Sequence, residues 1–203
     1  MHTSFRARDL TGQQAYELMA NLIVPRPIAF VSTASREGRR NLAPFSYFMP
    51  GGTNPPTLCF CPILAGGGRK KDTLVNIEDT GEFVVNLVDR AMAEGMNATS
   101  GMYSSDIDEW PLSGFSAAEC LSVRPPRVHE SPASFECRLL QAAFTGQDAG
   151  GGVFVIGEVV AAHVRTDLLQ PDSRFLPISR LGGPDYIDLA SGEIFGMDRP
   201  KAG

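Results

Sequence analysis

Arg69, Lys70, Lys71, Asp72 and Thr73 follow directly on Ala65, Gly66, Gly67 and Gly68. A glycine run that enters a helix can leave backbone N–H groups unpaired, and their partial positive charge attracts phosphate. Three cations add to that field, and the Thr73 hydroxyl can donate a hydrogen bond. The Asp72 carboxylate would repel a phosphate, so it is expected to turn inward and cap the helix. The same composition also suits a solvated basic turn, with Ala65–Gly68 as a mobile loop. The segment is neither a Walker A loop nor a Gly-x-Gly-x-x-Gly dinucleotide fingerprint.

A second stretch, Asn41 to Phe48, sets Asn41 and Ser46 among aromatic residues. A planar ring with polar edges needs that mixture of flat apolar contact and a few fixed hydrogen bonds. A half-buried strand whose aromatics belong to the core would read the same way. Ser32 and Thr33 carry the same ambiguity. Neither stretch sets a general base beside a nucleophile, so a hydrolase triad finds no support and no catalytic side chain is assigned. Cys59, Cys61, Cys120 and Cys137 form no CxxC pair, and Cys59 and Cys61 would share one face of a strand, which suits burial. His2, His129 and His163 have no ligand spacing, so no metal site is expected.

The elements that must position these groups read as mostly β. Thr11–Ala20 is a short helix ending before Pro25 and Pro27. Ile28–Ala34 is a strand, Ser35–Arg40 a hairpin turn, and Leu42–Met49 the returning strand, with Pro44 marking an edge or bulge. Pro50–Pro56 is a turn and Thr57–Ile63 a buried strand. A helix capped by Asp72 or Thr73 runs to about Thr80 and stops at Gly81, with Leu74 and Ile77 inward. Phe83–Val88 is a strand and Ala91–Met102 helical. Phe135–Thr145 and Val153–Val164 are long strands far along the chain from the first group, which suggests a closed barrel. Arg180–Phe195 reads as a terminal hairpin or arm. Repeats and low-complexity linkers are absent.

With 203 residues, 43% hydrophobic and 20% charged, the chain suits a single domain with an ordinary core, with 166–203 as a C-terminal extension or arm. Its net charge of -5 argues against nucleic acid or an anionic membrane as partner. The first residues lack a leader-like apolar run and no stretch approaches a membrane span, so a cytoplasmic location is expected.

Taken together, Pro25–Thr33, Asn41–Ser46, Arg69–Thr73, Asn76–Ile77 and Glu82–Asn86 closely resemble the flavin reductase-like, FMN-binding split-barrel family, including its flavoredoxin-type members. Order and spacing match over about residues 10–165, and Arg180–Gly183 with Tyr186 resemble one branch of it. The resemblance implies a mainly β split barrel with flanking short helices, usually a homodimer, with flavin near the subunit interface. It implies that Ser32 and Thr33 lie along the isoalloxazine ring, that Asn41, Ala43 and Ser46 contact its polar edge or ribityl chain, and that Phe45 and Phe48 shape the ring pocket. Arg69, Lys70, Lys71 and Thr73 would hold the phosphate. It implies a flavin-dependent oxidoreductase using FMN, with FAD as the alternative, and NAD(P)H as reductant. Electrons would pass to free flavin, to a monooxygenase or to another electron-transfer partner. Two-component members often carry an Asp-His pair before the Gly-Glu-Val strand, associated with nicotinamide. Here Asp148 is followed by Ala149 and glycines, and His163 further on is either a substitute or structural. That departure leaves a flavin carrier that NAD(P)H does not reduce directly as the second reading.

Overall fold

The computed structural model describes residues 1–201; the last two residues of the expected C-terminal extension lie outside them. Thr11 opens helix α1 (Gly12–Leu22) with a capping box shared with Gln14. Strands β1 (Ala29–Ala34) and β2 (Arg40–Phe45) form a hairpin. The strand expected over Leu42–Met49 divides at Ser46 and Tyr47: β2 ends there, and β3 (Phe48–Thr53) begins a second hairpin with β4 (Pro56–Phe60). The turn expected over Pro50–Pro56 is therefore largely strand, and the reversal is confined to Asn54 and Pro55. Helix α2 (Asp72–Thr80) stops where Gly81 takes a left-handed φ of 72°, and β5 (Glu82–Asn86) follows at once. The helix expected over Ala91–Met102 is a 3-10 turn at Arg90–Met92 and a short α3 (Ala93–Ala98). Helix α4 (Trp110–Ser113) and the two-residue strands β6 (Ala117–Ala118) and β7 (Arg127–Val128) precede the long strands β8 (Ala133–Phe144) and β9 (Val153–Val164).

Seven strands form one sheet in the order β2-β1-β5-β8-β9-β4-β3. Laid flat, the outer strands β2 and β3 would stand about 29 Å apart. Only Ser46 and Tyr47 join them, and that link reaches about 10 Å when extended. The sheet must therefore roll up until its edges meet. Chain connection closes it there in place of a β2–β3 ladder, which makes the barrel a split one. Register shifts at Glu136/Cys137 and Leu139/Gln141 in the β8–β9 pair supply the local bend that rolling needs.

The inner core takes Ala29, Val31, Phe45, Phe60, Leu74, Ile77, Phe83 and Val155. The opposite face of β1 and β2 is covered too: Phe30 and Leu42 pack with Met92, Met96, Trp110, Ile178 and Tyr186. The expected terminal arm is a docked three-stranded sheet, β10 (Ile178–Arg180), β11 (Asp185–Asp188) and β12 (Ile194–Gly196). Arg26 and Arg180 exchange backbone hydrogen bonds at 2.9 and 2.8 Å, which fixes the tail beside the start of β1.

Candidate functional site

The start of α2 has no side-chain cap. Lys71 is the extended residue before the helix, and its carbonyl accepts from the N–H groups of Leu74 and Val75. Asp72 therefore stands one position inside the helix, where its carboxylate cannot play the capping part expected of it. Among the described residues, the N–H groups of Asp72 and Thr73 have no protein acceptor. Two open donors and the positive end of a helix dipole thus face outward together.

They face a cavity of about 300 Å³. Arg69, Lys70, Lys71, Asp72 and Thr73 form one wall, and Asn41, Ala43 and Pro44 of the edge strand β2 form a second. The loop after α3, Thr99–Ser105, with Ala65 and Glu109 form the remainder, and Arg199 enters from the C-terminal segment. Asn41 donates through Nδ2 to Thr73 Oγ1 at 2.8 Å. The Thr73 hydroxyl proton is left free to donate elsewhere. The glycine run is a closed 3-10 turn: Gly68 N–H donates to the Ala65 carbonyl, and Ala65 N–H donates to the carbonyl of Arg69. Gly68 has a left-handed φ of 74°, and a Cβ there would collide with the Gln147 carbonyl oxygen, so only glycine fits this approach.

The three cations differ. Lys70 pairs with Glu78 at 2.6 Å and lies over the Phe144 ring. The Lys71 ammonium lies 5.4 Å from the centroid of Phe45. Desolvation there, helped by the Arg199 charge, lowers its pKa from the ordinary lysine value. Arg69 has no ion-pair partner among the described residues. Opposite them, burial pushes the Glu109 carboxyl up to about 7, assisted by Asp72 and Asp108 and opposed by backbone N–H groups, including that of Leu42, which donates to Glu109 at 3.2 Å.

Of the residues expected to act together, Asn41, Ala43, Arg69, Lys70, Lys71 and Thr73 line this cavity. Ser46 lines a smaller neighbouring cleft instead. Ser32, Thr33 and Phe45 line neither. Phe45 belongs to the inner core, its ring centroid 5.1 Å from that of Phe60, and Phe48 packs against the same cluster. Thr33 is fully buried and accepts from Asn76 Nδ2 at 3.0 Å. Ser32 is fully buried on the outer face and donates to the Pro126 carbonyl at 2.6 Å. For Ser32 the reason lies in the second layer. The chain between β6 and β8 lies over the outer face of β1, β5 and β8, and polar side chains on those strands hold it. Asn86 Oδ1 accepts from Val128 N–H at 2.9 Å, and Glu136 accepts from the N–H groups of Leu121 and Ser122 at 2.6 Å in both cases.

His163 is bound up in the same arrangement, with Nε2 at 2.6 Å from Glu136 Oε1. It lines neither cavity. The scattered cysteines and histidines do meet at one place, since donor atoms of Cys120, Glu136 and His163 lie within 4.8 Å of one another. Burial and the Glu136 charge push the Cys120 thiol up to about 12, which keeps it protonated.

Sequence reasoning missed Thr99–Ser105, Glu109 and Arg199. The one local signal was the proline after Trp110, which marks the start of a helix but not what that helix faces.

The flavin reductase like domain family model matches residues 19–179. The uncharacterized protein YwrF of Bacillus subtilis (strain 168) is 33% identical over 205 residues, covering 97% of this chain and 98% of that protein. The solved structure of nitrilotriacetate monooxygenase component B from Bacillus cereus superposes with a TM-score of 0.88 at 32% identity, over 97% of this chain and 99% of that one. The 2-nitrobenzoate 2-nitroreductase NbaA of Pseudomonas fluorescens superposes with a TM-score of 0.81, also at 32% identity, over 99% and 100% of the two chains. An uncapped helix start and a cation-lined cavity beside a split barrel thus sit in a chain that belongs to the flavin reductase-like domain family.

Proposed function

We propose that the chain binds FMN in the cavity between β2 and α2 and acts as a flavin-dependent oxidoreductase. The observation that carries this is the uncapped start of α2, whose open N–H groups share one wall with Arg69, Lys71 and the Thr73 hydroxyl in a cavity large enough for a cofactor. A phosphate supplies the acceptors that this wall lacks. Thr73, oriented by Asn41, donates its hydroxyl proton to it, while Arg69 and Lys71 neutralise its charge. Asn41, Ala43 and Pro44 present an edge strand on which a flat ring can lie, and Thr99–Ser105 shields the other side from water. Bound flavin supplies hydride and electron transfer, and the protein supplies position and electrostatics. Glu109, mostly protonated below its raised pKa of about 7, then keeps a second negative charge out of the cavity.

NADH or NADPH is the proposed donor, with free flavin or a monooxygenase component as acceptor. The names of the solved relatives, a monooxygenase component and a nitroreductase, support reductive chemistry of this kind. A second reading, a flavin carrier not reduced directly by NAD(P)H, is favoured by His163. That histidine is tied to Glu136 away from the cavity, which supports its reading as structural rather than as a substitute for the nicotinamide-associated one. The absorption spectrum of purified protein tests flavin binding. Anaerobic titration with NADH and NADPH separates the readings: bleaching of bound flavin supports the reductase, and persistence of the oxidised spectrum the carrier.

A homodimer is the proposed assembly. Leu18, Met19, Leu22, Ile23 and Val24 leave an exposed apolar stretch at the end of α1, suited to cover by a second copy. Light scattering on the eluting protein distinguishes one copy from two.

A further inference from the structure

A second cleft of about 80 Å³ opens beside the larger cavity, and the two share Pro44, Ser100 and Arg199 in their walls. It lies between α1, the end of α3 and the tail sheet. Its lining includes three guanidinium groups, Arg26, Arg180 and Arg199, and no carboxylate. Such a concentration of positive charge is unexpected in a chain of net charge -5. Tyr16, Ser46 and Asn97 add neutral hydrogen-bonding groups.

The three arginines have different parts. Arg26 is 7% exposed and commits its donors to the carbonyls of Ala20, Ile23 and Leu181 and, through Nε, to Ser46 Oγ at 3.5 Å, so it contributes charge and pins the tail. Arg180 lies over the Tyr186 ring at 4.3 Å and donates through Nη2 to Gly183, which leaves its Nε and Nη1 groups without a partner among the described residues. Arg199 has no carboxylate partner among the described residues. It is held at the junction of the two cavities because Asn97 Nδ2 donates to the Asp198 carbonyl at 2.8 Å and Met197 N–H to that of Pro184 at 3.0 Å. Its charge is felt at Lys71 on the far wall. The volume is right for a carboxylate or a phosphate and too small for a ring system.

We propose that this cleft is an anion subsite, in which Arg180 and Arg199 take the carboxylate or phosphate group of the molecule that exchanges electrons with the flavin. The inference rests on the flavin reading for the identity of that molecule. The anion site itself stands on the cleft. On this view the C-terminal segment is part of the substrate site: it brings Arg199 from far along the chain to the point where cofactor and second substrate meet.

Three probes test it on the full-length protein: inorganic phosphate, benzoate and 2′-AMP. Each is titrated by calorimetry into FMN-loaded protein, where the Arg69–Thr73 wall is already filled, and into the flavin-free Arg69→Ala/Lys71→Ala double variant, where the charges of that wall are removed. At least one probe is expected to saturate at one site per chain. Arg180→Gln is expected to weaken it about tenfold, from loss of a charge-assisted contact, and Arg180→Lys to weaken it less. FMN affinity should be unchanged in Arg180→Gln, because Arg180 does not line the larger cavity. Preference for benzoate identifies a carboxylate substrate, and preference for 2′-AMP a nucleotide phosphate. Absence of saturable binding for all three, or equal binding by a folded Arg180→Gln variant, overturns the proposal. Failure of FMN to bind at all overturns the flavin reading, while the flavin-free titration still decides the cleft.

Discussion

Asn41, on the edge strand of the barrel, donates to the hydroxyl oxygen of Thr73, in the first turn of α2, at 2.8 Å. Both side chains are buried, Asn41 to 6% and Thr73 to 1% exposure. The bond fixes the direction of the Thr73 hydroxyl, whose proton then points away from Asn41. Asn41→Ala is expected to weaken FMN binding about five- to tenfold, the worth of one oriented hydrogen bond. In a Thr73→Val background the same substitution should cost little, since the group it orients is gone. Fluorescence titration of the four proteins closes the cycle. Additive losses would show that Asn41 acts independently of Thr73.

How far the sequence reached can be judged on the same residues. Arg69–Thr73 and the helix to Gly81 were legible because a glycine entry, an i to i+3 apolar pair at Leu74 and Ile77, and a left-handed glycine are all local signals. The split at Ser46 was not, because β2 and β3 read as one run until each has found its own partner. Resemblance alone puts Ser32 along the ring, yet β1 is covered on both faces and the Ser32 hydroxyl holds the Pro126 carbonyl. Alternation along a strand cannot reveal a second covering layer. Arg199 was illegible for another reason: its place depends on the docked tail sheet and on Asn97.

Phosphate recognition can be separated from ring recognition. Arg69→Ala combined with Lys71→Ala should reduce FMN affinity by about a hundredfold, as expected for two contacts of about 1.5 kcal/mol each. Riboflavin, which has no phosphate, should lose no more than about threefold by the same reasoning. Because the lowered Lys71 pKa marks where its ammonium loses charge, FMN affinity of the native protein should also fall as pH rises through it. Competition with riboflavin at several pH values measures both effects. Parallel loss of the two ligands would move the phosphate site elsewhere.

Glu109 gives the fold a pH dependence of definite sign. Its carboxyl titrates at about 7 in the folded chain, against 4.5 for the free group. The folded state therefore binds more protons between those values, and stability falls as pH rises through that window. The full difference is on the order of 3 kcal/mol. Glu109→Gln keeps an acceptor for Leu42 N–H and cannot ionise, so the variant should lack this component. Urea unfolding of both proteins at pH 5, 6, 7 and 8 should show their stability difference growing in favour of the variant as pH rises. A constant difference would mean that Glu109 titrates normally.

Glu136 has the opposite sign. Burial alone would push its carboxyl up, but the N–H groups of Leu121 and Ser122, together with His163, outweigh that and hold it below the ordinary glutamate value. Its contribution to stability is therefore present above the unfolded pKa and is lost as pH falls through the folded one. Glu136→Ala leaves the N–H groups of Leu121 and Ser122 and the His163 imidazole without their acceptor, at an expected cost of about 2–3 kcal/mol. The loss should be local before it is global. Amide exchange should accelerate first at Leu121 and Ser122, while the amides of β5 and β8 remain protected until the barrel itself opens. His163→Gln, which can still donate to Glu136, should cost less than about 1.5 kcal/mol. Since this arrangement lies outside both cavities, FMN affinity should stay within about threefold in the His163→Gln protein, less than the worth of one hydrogen bond. A large loss of flavin with unchanged stability would place His163 in the electron-transfer site after all.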